Sequence, residues 1–122
     1  MSAPWLPLVP EDITREWLGG VLAERYPCTT VESLEVTDIL WGTGTKMMVS
    51  VGYNEAGRAH GLPDRLCIKA GLAEHRELVK FCYQTEARFF AELAPQLTLG
   101  VPHVLYAAAN DEQGMVVMED LR

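Results

Sequence analysis

A glycine-bearing turn, a lysine closing an apolar run and a glutamate inside a helical apolar face follow one another along this chain. In that order they are groups able to hold phosphates. The turn is Gly42-Thr43-Gly44-Thr45, the lysine is Lys69 after Leu66-Cys67-Ile68, and the glutamate is Glu86. Stepping the segment from Ala73 to Leu93 at about 100° per residue places Leu78, Val79, Cys82, Tyr83, Phe89, Phe90 and Leu93 within an arc of roughly 140°. Glu86 falls near the centre of that arc. A lone carboxylate against such a stripe costs several kcal/mol unless a cation or strong donors meet it. Lys69 is the natural cation, with Arg65 and Arg88 as rivals.

The turn is not a Walker loop, because no Gly-x-x-x-x-Gly-Lys-Ser/Thr run exists. Nor does it complete Gly-x-Gly-x-x-Gly, since position 47 is Met. What remains is Gly-x-Gly joining two strands, where small residues let backbone N–H groups approach phosphate oxygens. Thr43, Thr45 and Lys46 add donors. Taken singly, the turn reads as an ordinary glycine hairpin and Lys69 as a strand-end lysine reaching solvent. Glu86 is what joins them into a site.

The elements that must position these groups follow from periodicity. Ile13, Trp17, Leu18, Val21 and Leu22 recur at helical spacing between Glu11 and Tyr26, interrupted by Gly19-Gly20 and ended by Pro27. Strands are expected over Ser33–Trp41, with Leu34, Val36 and Asp38 on one side, and over Met47–Tyr53. A polar loop covers Asn54–Pro63, a third strand Arg65–Ala70 and the long helix Ala73–Leu93. A last hairpin pairs His103–Ala109 with Gly114–Glu119 around Asn110-Asp111-Glu112-Gln113. The expected fold is α+β: a five-stranded antiparallel sheet, one long helix packed across it and a preceding N-terminal helix.

Composition narrows the function further. The apolar fraction of 48% in 122 residues is that of a globular core, and no apolar run approaches the roughly 18 residues of a membrane span. The opening lacks a basic start followed by an apolar stretch, so no secretory signal is read and a cytoplasmic location is expected. A formal charge of −7 argues against nucleic-acid or anionic-membrane partners but leaves room for a local cluster such as Lys46 with Lys69. The three cysteines form no Cys-x-x-Cys pair, and Cys67 and Cys82 read as buried thiols. His60, His75 and His103 show no metal-ligand spacing.

Several pieces together resemble the N-terminal lobe of a kinase-like phosphotransferase. They are Glu16-Trp17-Leu18, Trp41-Gly42-Thr43-Gly44-Thr45, Leu66-Cys67-Ile68-Lys69, Glu86-Ala87-Arg88-Phe89-Phe90, Val101-Pro102 and Met118-Glu119-Asp120-Leu121. The resemblance is to the aminoglycoside-phosphotransferase and choline-kinase group, especially its ecdysteroid-kinase-like branch. It implies that the turn and Lys69 hold the phosphates of ATP or GTP and that Glu86 orients Lys69. It assigns adenine recognition to the carbonyl of Glu119 and the N–H of Leu121, with Met118 lining the back of the pocket. The acceptor would be a hydroxyl of a metabolite, antibiotic or steroid-like alcohol. The acceptor-orienting aspartate and the ligands of magnesium (Mg2+) belong to a helical C-terminal lobe, which would begin where the sequence stops at Arg122. No catalytic or metal-binding role therefore falls on a residue of this chain. The fragment alone is expected to be inactive and to self-associate through its hinge side. A different class, a non-catalytic interaction module with the same lobe shape, is the alternative.

Overall fold

The computed structural model describes residues 5–41, 45–72, 84–88, 91, 104–110 and 113–120. The chain enters through a 3-10 turn, Pro10–Asp12, and then forms helix α1, Arg15–Arg25. The single helix expected from Glu11 is split because Thr14 caps α1, its hydroxyl accepting the Trp17 N–H at 3.1 Å. Ile13, just before the cap, turns into the core. Gly19 has a packing reason: a Cβ there would lie 3.1 Å from the backbone nitrogen of Val31.

Strands β1 (Val31–Leu40), β2 (Thr45–Tyr53), β3 (Arg65–Ala70), β4 (Val104–Ala109) and β5 (Gly114–Glu119) form one antiparallel sheet in the order β1-β2-β3-β5-β4. The α+β class and the five antiparallel strands agree with the sequence reading. The order adds what the sequence did not show, that β5 inserts between β3 and β4.

Two local expectations change. The polar loop after β2 contains a short helix α2, Glu55–Ala59. Asn54 starts it, its Oδ1 accepting the N–H groups of Gly57 and Thr30 and its Nδ2 donating to the Cys28 carbonyl. In β1 a register shift between Val36 and Asp38 moves the apolar side, so Ile39 rather than Asp38 joins Leu34 against the core.

One sheet face carries Met47, Val49, Val51, Leu66, Ile68, Met115 and Val117, buried against Leu18, Val21 and Leu22 of α1. By the pleat, the other face carries the alternating residues Lys46, Met48, Cys67, Lys69, Val116 and Met118. Met48, Cys67 and Val116 are buried on that second face. Residues 84–88 and 91 are helical; the remainder of the expected long helix lies outside the described residues.

Candidate functional site

β3 is where the sequence places its cation, and the pleat decides which way that cation points. Leu66, Ile68 and Ala70 are fully buried towards α1, so Lys69 projects from the opposite face. There its Nζ donates to Glu86 Oε2 at 2.9 Å. The expected Lys69–Glu86 contact is present. Both side chains remain about one-third exposed, 29% for Lys69 and 34% for Glu86. A pair this open to water contributes on the order of 0–1 kcal/mol to folding. Its contribution is therefore orientation: it fixes the ammonium while leaving its other donors accessible.

Two further contacts hold the helical segment and β3 in place. Gln84 Nε2 donates to the Asn110 carbonyl at 2.6 Å, tying residues 84–88 to the turn between β4 and β5. Ala87, beside Glu86, is fully buried. Gln113 is a buried amide with every position used. Its Oε1 accepts the Gly71 N–H at 2.8 Å and the Gly114 N–H at 3.2 Å. Its Nε2 donates to the carbonyls of Pro7 at 3.0 Å and Gly71 at 2.9 Å. Gln113 thereby clamps the exit of β3 two residues beyond Lys69. Sequence reasoning missed it, because a glutamine at a turn gives no periodic signal.

Of the described hinge candidates, Met118 shares the face of Lys69, whereas Glu119, opposite Leu66, has its side chain on the α1 face. Pairing sets Met118 opposite Cys67 and Val116 opposite Lys69, so Met118 lies on the same side of the sheet as the lysine. The Asp120 N–H donates to the Arg65 carbonyl at 3.0 Å, which makes Leu66–Glu119 a non-hydrogen-bonded pair. The N–H and C=O of Glu119 consequently point away from β3. From Glu119 to Lys69 is three residues along the ladder and one strand across, on the order of 11 Å. A ligand touching both must be longer than a free phosphate.

The remaining candidates divide. Gly42, Thr43, Gly44 and Leu121 lie outside the described residues, as do His75, Cys82 and His103. Thr45 requires a correction. It is fully buried and pairs with Ala70 on the α1 side, so its hydroxyl is not a donor on the Lys69 face. The pleat that sends Lys46 towards Lys69 sends Thr45 the other way. Cys67 is a buried thiol as expected, and Cys28 is exposed.

Among the described residues no group of three or more His, Cys, Asp or Glu could hold a metal ion. No described helix is long and apolar enough to cross a membrane. No protein-family model matches this sequence, and neither a curated protein nor a solved structure matches it.

Proposed function

We propose that this chain is the nucleotide-binding lobe of a kinase-like phosphotransferase, of the aminoglycoside-phosphotransferase and choline-kinase kind with the ecdysteroid-kinase-like branch nearest. In this reading it holds ATP or GTP for transfer of the γ-phosphoryl group to a hydroxyl of a small molecule. The observation that carries the reading is the Lys69–Glu86 contact at 2.9 Å, on the sheet face opposite α1 and shared with Met118.

Each group then has a task. Lys69 binds phosphate oxygens, and Glu86 keeps its ammonium aimed. Met118 supplies an apolar wall, and the Glu119 carbonyl, turned away from β3, accepts from the adenine amino group. Such positioning and charge stabilisation provide most of the rate in phosphoryl transfer. The described residues do not fit a magnesium site. In this reading the Mg2+ ligands and the acceptor-orienting aspartate come from a second lobe.

Titration of ATP against the protein, followed by calorimetry and by fluorescence of the exposed Trp41, tests the reading. Wild type should bind, and Lys69→Met should lose most of the affinity. Because the ion pair contributes little to folding, that variant should keep its thermal midpoint within a few degrees, roughly 4 °C per kcal/mol for this size. A wild-type protein blind to both ATP and GTP would leave the interaction-module alternative in its place.

A further inference from the structure

Lys46 stands directly opposite Lys69 across the β2–β3 ladder. The hydrogen bond from Val51 N–H to the Asp64 carbonyl flanks the Ser50–Arg65 pair and sets the alternation of that ladder. Counting from it, Lys46–Lys69 is a non-hydrogen-bonded pair, the kind in which Cα atoms approach to about 4.5 Å and side chains lie closest. Like charges at such a position are destabilising. Among the described residues the one carboxylate paired with either lysine is Glu86, which meets Lys69, while Lys46 is exposed and has none. In a chain of net charge −7, two adjacent lysines with a single described counter-charge form a local positive site.

Position along the sheet orders the two. The strands run β2, β3, β5, so a ligand starting at Glu119 on β5 meets Lys69 first and Lys46 one strand further on. We propose that Lys46 and Lys69 form a two-point clamp for a polyphosphate, with Lys46 holding the distal phosphate and setting a preference for three phosphates over one. The proposal takes its nucleotide from the reading above, but the clamp itself is a property of the lysine pair.

The test is calorimetric titration of the full chain with AMP, ADP, ATP and inorganic triphosphate, for wild type, Lys46→Gln and Lys46→Arg. Loss of one charge-assisted contact predicts that Lys46→Gln weakens ATP and inorganic triphosphate on the order of tenfold and AMP less than about twofold. Lys46→Arg keeps the charge and should restore most of the difference. The ligand-free thermal midpoint should rise slightly in Lys46→Gln, since a like-charge contact is removed. Equal losses for AMP and ATP, or no loss for ATP, would overturn the clamp. The two readings separate cleanly. Binding of inorganic triphosphate that depends on Lys46, with no binding of nucleotide, keeps the clamp and retires the nucleotide lobe. ATP binding that needs Lys69 and ignores Lys46 does the reverse. No binding of either ligand retires both.

Discussion

Replacing Gln113 by leucine should show how much the buried amide stabilises the region around Lys69. The side chain is fully buried, and Pro7, Gly71 and Gly114 around it are buried. Leucine keeps most of the volume but removes the partners of the Gly71 N–H, the Gly71 carbonyl and the Pro7 carbonyl, now at 2.8, 2.9 and 3.0 Å, and of the Gly114 N–H, held more weakly at 3.2 Å. Each of the three closely held groups costs about 1–2 kcal/mol when orphaned, or about 3–6 kcal/mol together. Against this, the variant no longer buries an amide, which recovers about 1–2 kcal/mol. The net loss should be about 2–4 kcal/mol. An unfolding entropy of about 2.1 cal/mol/K per residue converts that to a midpoint lower by roughly 8–16 °C. Urea unfolding followed by circular dichroism measures the free energy directly, and an unchanged m-value would show that the unfolded state is not responsible. Amide exchange at Gly71 adds a local readout, because its N–H loses its acceptor in the variant. Gln113→Glu should be at least as damaging, since it removes both donors and sets acceptor oxygens against the two carbonyls. A leucine variant within about 0.5 kcal/mol of wild type would refute this reasoning, which depends on the orphaned groups staying dry.

Two other outcomes are expected. Gly57→Ala should destabilise by about 1–3 kcal/mol in urea titration, despite alanine's better helix propensity. The added Cβ would lie 2.7 Å from Tyr53 Cβ and 3.2 Å from Thr29 Cγ2, so something must move. Alkaline pH should also destabilise the protein. Burial, first of all, pushes the hydroxyls of Tyr53 and Tyr106 above their ordinary value, with Asp64 adding to the effect at Tyr53 and Glu24 at Tyr106. Below about pH 10 both groups are protonated in folded and unfolded chains alike, so stability is flat with respect to them. Above it the unfolded chain releases the protons first, and stability falls by up to about 1.4 kcal/mol per pH unit for each group. Tyr53→Phe should make that fall shallower, whereas an unchanged alkaline slope would show that Tyr53 already ionises in the native state.

What the sequence determined by itself was local. Arg65–Ala70 and Gly114–Glu119 were legible to the residue, because short apolar runs bounded by turn formers have few other solutions. The Lys69–Glu86 contact was legible for a different reason. A carboxylate at the centre of an apolar arc demands a cation, and the lysine closing the preceding strand was the natural one. Boundaries were less secure. Asn54 and Thr14 each redirected the chain by a side-chain cap, a choice between competing hydrogen bonds that apolar periodicity does not register. The change of face along β1 at the Val36–Asp38 shift was equally invisible, since one extra residue inverts the alternation without altering composition.

Only the tertiary structure decided which elements became neighbours. Inserting β5 between β3 and β4 sets Met118 beside Cys67 and Val116 beside Lys69, and these residues are far apart in the chain. Register then separated two adjacent donors, burying Thr45 towards α1 and placing Lys46 against Lys69. The buried amide of Gln113, joining Pro7, Gly71 and Gly114, belongs to the same level. Periodicity reports which residues avoid water, because hydrophobic burial is non-directional. Register, strand order and amide pairing are fixed by directional hydrogen bonds between distant segments, and these exist only once the chain has closed on itself.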